Sequence, residues 1–138
     1  MKNTIWSIVG LIIIGFTMIA CDPAIGYEYY LNNKSDSLLI VEFKGNGFNR
    51  TKGDSIRQVQ PKTEILIYKT EVWGKNPHDE GADFLRVFDS ISITTNSHRP
   101  IKTNIHKRTN WKYDNDINGL FIKTGTNTYR LELTNDSI

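Results

Sequence analysis

Short alternating runs of apolar residues, separated by turn-forming residues, constrain this chain more than any other feature of its sequence. The clearest run lies near the C-terminus, where Tyr129, Leu131 and Leu133 alternate with Arg130 and Glu132. Successive side chains point to opposite faces of a β-strand, so this pattern predicts a strand with one buried face. Clusters of Asn, Gly, Asp and Ser separate most of the runs and are typical of turns. The pattern therefore predicts an all-β fold.

Eight runs of strand length can be marked along the chain. They are residues 26–31, 38–44, 55–60, 63–70, 89–95, 111–113, 119–123 and 128–133. We interpret the first two as a hairpin, and we expect residues 83–88 to form at most one or two helical turns. Seven to nine short strands describe an antiparallel β-sandwich of immunoglobulin-like architecture or, as the alternative, a small β-barrel. The sandwich is favoured because the strands are short and unevenly spaced.

The first twenty residues differ in character from the rest. Lys2 precedes an uncharged, largely apolar run from Asn3 to Ala20, and Cys21, the only cysteine, follows at once. A basic start, an apolar centre and small residues at the exit are typical of a secretory signal. The run is also long enough for a membrane helix, but no cations follow it, as they usually follow a stop-transfer anchor. A lipoprotein signal, a retained helix and an ordinary secretory signal are the three alternatives.

The residues before Cys21, Met18-Ile19-Ala20, favour the first alternative, because they resemble the lipobox of bacterial lipoproteins. The resemblance implies cleavage after Ala20, a diacylglyceryl thioether on Cys21 and an amide-linked acyl chain on its amino group. It divides the chain into a signal peptide (1–20), a lipidated tether (21–26) and a single β-sandwich domain (27–138).

Composition limits what the mature domain can do. After loss of residues 1–20 its net charge is +1, whereas nucleic-acid binding needs a concentrated basic patch. The one basic cluster, His106-Lys107-Arg108, is interpreted as a solvated loop. With Cys21 lipidated no thiol is left, so disulfides and cysteine metal sites are excluded. We expect no nucleic-acid partner and no cofactor.

The signal, the size and the strand pattern together resemble the small cell-envelope lipoproteins of Bacteroidetes-type bacteria. The resemblance implies a cell-envelope location, with the chain anchored to a membrane through lipid. Asp22 matches the position of an inner-membrane retention signal of enteric bacteria, a rule that does not transfer safely to other phyla. We therefore favour the periplasmic side of the outer membrane over the inner membrane.

The long connection from Glu71 to Asp83 is the most conspicuous loop, and long loops in compact domains are often functional. It offers His78, Asp79, Glu80 and Asp83 as candidate metal ligands, but adjacent residues rarely converge on a metal and no ligand spacing typical of a metal site occurs. No nucleophile elbow, zinc-protease motif or phosphate-binding loop is present either. We therefore predict no metal site and a protein that is not an enzyme.

Two functions are left open by these observations. The first is a non-catalytic interaction module, which holds another envelope protein through loops or an edge strand near the 71–83 loop. The alternative is a binding domain for a glycan or small ligand, in which Trp73 and Trp111 stack against the ligand because both lie beside polar loop sequence. The interaction module is favoured.

An Asp-Ser dipeptide followed by an aliphatic residue occurs four times. It resembles the O-glycosylation motif that Bacteroidetes-type bacteria use on exported proteins, and it implies that Ser37, Ser55 or Ser90 carries a glycan, with Ser137 a weaker candidate. The same dipeptide also forms turns before strands, so a purely structural role is the alternative.

Overall fold

Two β-sheets that share one hydrophobic core make up the computed structural model, which describes residues 24–46, 55–74, 76–119 and 124–138. The strands are β1 (Ala24–Asn33), β2 (Leu39–Gly45), β3 (Ser55–Val59), β4 (Thr63–Trp73), β5 (Phe88–Thr95), β6 (Trp111–Asn118) and β7 (Thr124–Leu133). Three single 3₁₀ turns, at Gly81–Asp83, Arg108–Asn110 and Asn135–Ser137, are the only helical segments of these ranges.

The order of the strands is β4-β1-β7-β6 in one sheet and β3-β2-β5 in the other, and neither sheet closes on itself. The predicted β-sandwich is therefore confirmed, and the barrel alternative is wrong. A constant-type immunoglobulin domain also has sheets of four and three strands, but both of its sheets are antiparallel. Here β1 and β7 pair in parallel within the four-stranded sheet, so the strand order differs from that of an immunoglobulin domain.

The centre of the four-stranded sheet is formed by β1 and β7, which run parallel to each other from Ile25↔Gly125 to Asn33↔Leu133. All other pairings within the sheets are antiparallel. Alternate residues of both central strands point inward and are fully buried, among them Tyr29, Leu31, Tyr129 and Leu131. The rings of Tyr29 and Tyr129 stack with their centroids 5.3 Å apart. The alternation predicted for residues 128–133 is thus confirmed.

The connection between β1 and β2 crosses from one sheet to the other, and the side chain of Asn33 fixes this crossing by hydrogen bonds. It is fully buried, and its Nδ2 donates hydrogen bonds to the carbonyl oxygens of Ser37 (2.8 Å), Val59 (3.1 Å) and Gln60 (3.1 Å). Its Oδ1 accepts hydrogen bonds from the backbone N–H and the hydroxyl of Ser35. These hydrogen bonds stabilise the passage of the chain from β1 in one sheet to β2 in the other. The predicted hairpin between these strands is wrong, because their partners lie in different sheets.

A β-bulge interrupts the alternation of β4. Tyr29 pairs with Tyr68 and Tyr30 pairs with Leu66, so Ile67 is an extra residue on β4. Because one residue is inserted, Ile67 and Tyr68 are both buried although they are adjacent. The bulge leaves Leu66 on the outer face, on the same side as Trp73 at the end of the strand.

The remaining differences from the predicted elements concern boundaries. Residues 24–26, which we assigned to the tether, belong to β1. Gly119 lies outside any strand, and the rest of the predicted strand 119–123 falls outside the described residues. So do the predicted signal peptide and Cys21. Residues 83–88 form no helix longer than the single turn that ends at Asp83, in agreement with the prediction.

Candidate functional site

The connection between β4 and β5, residues 74–87, packs over the aromatic half of the four-stranded sheet. Phe84 is buried, its ring centroid lies 5.7 Å from that of Trp111, and its carbonyl oxygen accepts a hydrogen bond from the Tyr29 hydroxyl. The connection therefore completes the core beside the three-stranded sheet. It begins and ends later than predicted, because residues 71–73 belong to β4 and β5 begins only at Phe88.

An ion pair between Asp79 and Arg108 fastens this connection to the start of β6. Arg108 donates Nε and Nη2 to the two carboxylate oxygens of Asp79, at 2.7 and 2.6 Å, and Nη1 to the Trp111 carbonyl oxygen at 2.6 Å. The guanidinium carbon lies 5.2 Å from the centre of the Tyr129 ring. The hydrogen bonds from Arg108 hold the pKa of Asp79 below its ordinary value, so its carboxylate stays charged and compensated at neutral pH.

Glu80, the next residue, is held in a similar way. It accepts a hydrogen bond from the Tyr27 hydroxyl, its carboxylate lies 3.1 Å from Nη2 of Arg86, and its backbone N–H donates to the Tyr129 hydroxyl oxygen at 3.0 Å. Burial, together with the hydrogen bond to Glu80, raises the pKa of Tyr27 to about 12. Tyr27 therefore remains protonated at neutral pH and acts as a hydrogen-bond donor.

These contacts account for two of the four residues that the sequence offered as metal ligands. A third, Asp83, is exposed at the end of the 3₁₀ turn Gly81–Asp83. Asp79 and Glu80 face guanidinium groups, and His78 is exposed with Nδ1 2.9 Å from the Asn76 carbonyl oxygen. Within the described ranges, no three His, Cys, Asp or Glu side chains come close enough to hold a metal ion. The chemistry of this network is the mutual neutralisation of two carboxylates and two arginines, which fixes the connection on the sheet.

Trp73 and Trp111 lie at opposite ends of the four-stranded sheet. Trp73 ends β4 opposite Ala24 and is 63% exposed, whereas Trp111 begins β6 opposite Leu131 and is only 3% exposed. The Trp111 indole N–H donates to the Ile105 carbonyl oxygen at 2.8 Å. The structure therefore does not bring the two rings together. Contrary to our expectation, Trp111 is a core residue with no face for a ligand, because its position in the register points inward.

The serines of the Asp-Ser dipeptides lie at different places on the surface. Ser37 and Ser55 are partly buried, and Ser90 is exposed within β5. Ser137 ends the last 3₁₀ turn, and its hydroxyl accepts a hydrogen bond from the N–H of Thr134, the N-cap of that turn. Asp36, which precedes Ser37, forms an ion pair, since Lys62 Nζ lies 2.8 Å from its carboxylate. Glycosylation of Ser37, Ser55 or Ser90 stays a prediction.

The basic cluster at residues 106–108 is divided between solvent and structure. His106 and Lys107 are exposed, and Arg108 is committed to Asp79. Nearby Lys112 lies 3.5 Å from Glu132. The cations of this cluster therefore do not act as one charged patch.

A groove of about 250 Å³ lies where the two edge strands β3 and β4 face each other across the open side of the sandwich. It is lined by Phe43, Ser55, Arg57, Leu66, Ile67, Tyr68 and Lys69. Phe43, Ile67 and Tyr68 are buried, while Leu66 is 40% exposed at the rim. The Tyr68 hydroxyl is buried and has no hydrogen-bond partner among the described residues. The groove therefore combines an apolar floor with an unsatisfied polar group.

Arg57 is the charged group most available in this groove. Its position between Ser55 and Val59 points it toward the inner face of β3, yet it is exposed and its guanidinium carbon lies 5.9 Å from the centre of the Phe43 ring. It forms no ion pair with the residues described, whereas Lys69 pairs with Glu28 at 2.7 Å. Sequence reasoning missed this site. The signal that could have located it is a cation at an inward position of a short strand.

A second depression, of about 490 Å³, is polar. It lies beside the turn after β5 and is lined by Ser37, Thr95, Asn96, Ser97, Arg99, Pro100, Lys102 and Ile138. It has no apolar floor comparable with that of the groove between β3 and β4. We therefore regard the groove between β3 and β4 as the candidate site.

The chain matches no protein-family model, no curated protein and no solved structure. No helix among the described residues is both long and apolar enough to span a bilayer.

Proposed function

We propose that this protein is a lipid-anchored, non-catalytic interaction module of the bacterial cell envelope, which holds another envelope protein in the groove between β3 and β4. The observation that carries the proposal is the groove itself, because it joins two edge strands, an apolar floor and an arginine that has no ion pair among the described residues. Edge strands and exposed apolar groups are the features through which small β-domains associate with partners.

The side chains of the groove indicate what kind of segment binds there. Leu66 and the floor beneath it favour an apolar side chain, whose burial contributes about 25 cal/mol per Å². Arg57 favours a carboxylate, to which a guanidinium can donate two parallel hydrogen bonds. We therefore expect the partner segment to carry an apolar and an acidic residue close together.

Addition of a whole strand from the partner is disfavoured at this site. A charged residue at an inward position of an edge strand discourages pairing with another strand, and Arg57 occupies such a position on β3. The bulge at Ile67 also increases the local twist of β4. The partner therefore binds through its side chains rather than by extending either sheet.

Lipidation of Cys21 supplies the anchor in this proposal. Two or more acyl chains give stable membrane attachment, whereas a single chain gives only marginal binding. Leu66 pairs with Tyr30, six positions along β1 from Ala24, which is about 20 Å at the rise of a strand. The groove thus opens sideways above the anchored end, facing the periplasm if the outer membrane is the site of attachment.

The alternative, a glycan- or small-ligand-binding domain, has less support. Its basis was a stacking platform formed by Trp73 and Trp111, and these rings lie at opposite ends of the sheet with Trp111 buried. No specific observation replaces that platform, so the interaction module is preferred.

Site-specific photo-crosslinking tests the proposal in the native membrane. A benzoylphenylalanine at position 66 should give one discrete adduct, and the same probe at exposed Lys112, on the opposite edge strand, should not. Arg57→Glu should abolish the adduct at position 66, because the carboxylate repels an acidic partner. Arg57→Lys, which keeps the charge, should retain part of it.

Two results would contradict the proposed function. One is equal crosslinking at positions 66 and 112, which indicates random collision. The other is an adduct that Arg57→Glu leaves unchanged while circular dichroism shows that the variant is folded.

A further inference from the structure

Two of the four large apolar residues that are exposed in the described part of the chain lie at one end of the four-stranded sheet. Trp73 is 63% exposed and Ile117 is 44% exposed. Trp73 pairs with Ala24, Ile25 pairs with Gly125, and Gly125 pairs with Ile117. These pairs form a row across all four strands. With strands about 4.8 Å apart, Trp73 and Ile117 are separated by about 14 Å.

The side chains of Trp73 and Ile117 point to opposite faces of the sheet. Along β4 the buried Tyr68 and Thr70 and the partly buried Val72 point inward, so Trp73 points outward. Along β6, Trp111 points inward, and Ile117 follows it at an even number of residues. A flat surface brought against the end of the sheet would therefore meet an apolar side chain on either side of the strand ends.

This end of the sheet is also where the chain enters the domain. Only two residues separate Cys21 from Ala24, the first residue of β1, and an extended chain covers at most about 3.6 Å per residue. A lipid anchor on Cys21 thus holds Ala24, the residue paired with Trp73, within about 11 Å of the membrane surface, and Ile117 lies three strands from Trp73 along the same row. The opposite end of the sheet, where Asn33 pairs with Thr63, lies nine strand positions further away.

We propose that the end of the sheet bearing Trp73 and Ile117 inserts these two side chains into the lipid interface, so that the domain stands on the bilayer with its strands inclined to the membrane plane. The inference rests on the proposed lipid anchor. Tryptophan suits this position because it has an apolar body and an N–H that can hydrogen-bond to headgroups or water. The indole of Trp73 makes no hydrogen bond with the residues described.

The charges nearby indicate which lipids are suited to this contact. Glu71 and Asp116, both exposed, flank the two apolar residues on their own strands. Carboxylates are repelled by anionic headgroups, so the contact depends on apolar insertion rather than on attraction to acidic lipids. The segment that joins β6 to β7 passes through residues 120–123, whose sequence is Leu-Phe-Ile-Lys. These residues lie outside the described part and are not included in the proposed surface.

Depth-dependent fluorescence quenching tests this contact. The lipidated full protein, purified from its native membrane, is placed in vesicles of phosphatidylcholine and phosphatidylethanolamine that contain brominated phosphatidylcholine. The wild type should lose emission to the brominated lipid, and Trp73→Phe should lose much less, because buried Trp111 remains as the internal reference. In a chain that keeps residues 1–20, the same difference also removes any signal from Trp6. Acrylamide in the water should quench Trp73 less on vesicles than in the protein released by proteolysis after Cys21.

A matched control moves the indole along the same face of β4. Trp73→Phe/Leu66→Trp places an exposed tryptophan about 20 Å further from the anchored end, and brominated lipid should not quench it. Ile117→Ser should reduce the quenching of Trp73, because the second apolar contact is lost.

The outcomes separate this inference from the proposed anchor. Acyl mass on Cys21 together with no brominated-lipid quenching of Trp73 overturns the membrane contact and leaves the anchor intact. Quenching that is equal at positions 66 and 73 also overturns it. Protection of Trp73 in native membranes but not in purified vesicles would assign this end of the sheet to a protein partner instead. Quenching of Trp73 in a protein without acyl mass supports the contact and contradicts the lipid anchor.

Discussion

Replacing Asn33 with alanine should destabilise the domain more than any other single polar substitution on β1. The amide of Asn33 joins the end of β1 to three carbonyl oxygens of the crossing and of β3, and it accepts two hydrogen bonds from Ser35. Both Asn33 and Ser35 are fully buried. Alanine removes the donor and the acceptor and leaves their partners unsatisfied.

The expected cost follows from these partners. The hydrogen bond to the Val59 carbonyl oxygen is buried, and an unsatisfied buried acceptor costs about 1–3 kcal/mol. The bonds to the Ser37 and Gln60 carbonyl oxygens are only partly buried, so water can replace the donor and each loss costs about 0.5–1 kcal/mol. With the loss at Ser35, the total is about 4 kcal/mol, a large share of the roughly 5–15 kcal/mol that stabilises a typical domain.

Urea unfolding of the domain from residue 22 onward, followed by the emission of Trp111, measures this cost. For an m-value of about 2 kcal/mol/M, the unfolding midpoint should fall by about 2 M. Asn32→Ala is the matched control, because Asn32 lies on the outer face and makes no side-chain hydrogen bond with the described residues. Its free energy of unfolding should change by no more than about 0.5 kcal/mol. Equal midpoints for the two variants would refute the reasoning.

Asn33→Asp separates the donor from the acceptor. The carboxylate can still accept hydrogen bonds from Ser35, but it cannot donate to the three carbonyl oxygens. Burial beside carbonyl oxygens should raise the pKa of this carboxyl in the folded state above its unfolded value. The variant should therefore approach the stability of the wild type at pH values below the unfolded pKa and lose stability as the pH rises through the folded pKa.

Three further predictions concern the anchor, a glycine and an ion pair. Intact-mass analysis of protein from the native membrane should show acyl mass on a chain that begins at Cys21, and the Cys21→Ala variant should carry none. Added hexose-like mass would indicate glycosylated serines. An unmodified full-length chain would contradict the lipoprotein assignment. Gly125→Ala should destabilise the domain by about 3 kcal/mol, because the φ angle of Gly125 is +154° and a Cβ there would overlap the Asp116 carbonyl oxygen. A melting temperature equal to that of the wild type would show that this close approach is absent. Asp79→Asn should cost about 1 kcal/mol at pH 7 after allowance for solvent screening, since Arg108 lowers the pKa of Asp79 in the folded state. That stability is present above the pKa of Asp79 in the unfolded state and is lost as the pH falls through its pKa in the folded state. The difference in unfolding free energy between wild type and variant should therefore disappear in acid. A difference that does not depend on pH would contradict the pairing.

Strands with one buried face were the part of the fold that the sequence could predict. Tyr129, Leu131 and Leu133 are fully buried as their alternation indicated, and Leu39, Val41 and Phe43 of β2 follow the same rule. In such strands the side-chain period of two is enough to assign both the strand and its inner face. The sandwich follows from the number of these strands.

Pairing partners and local irregularities could not be predicted in this way. The parallel pairing of β1 with β7 joins residues about one hundred positions apart, and alternation does not encode which strands become neighbours. The run Ile65–Tyr68 resembles a regular strand, and the extra residue at Ile67 is visible only in its register with β1. Trp111 shows the same limit for the site, since polar neighbours in sequence suggested exposure while its register opposite Leu131 buries it.

The parallel pairing of β1 with β7 also determines how the domain would respond to mechanical force. Both strands run away from the end of the sheet that holds Ala24, where the proposed lipid anchor would attach, and nine residue pairs join them from Ile25↔Gly125 to Asn33↔Leu133. A pull between the membrane and a load carried near the end of β7 therefore acts along the strands. Such a pull shears all these backbone hydrogen bonds at once, whereas a pull across the strands would open them one after another. A protein with this connection, anchored as proposed, would carry tension between the membrane and a load at the end of β7 without unravelling from its anchored end.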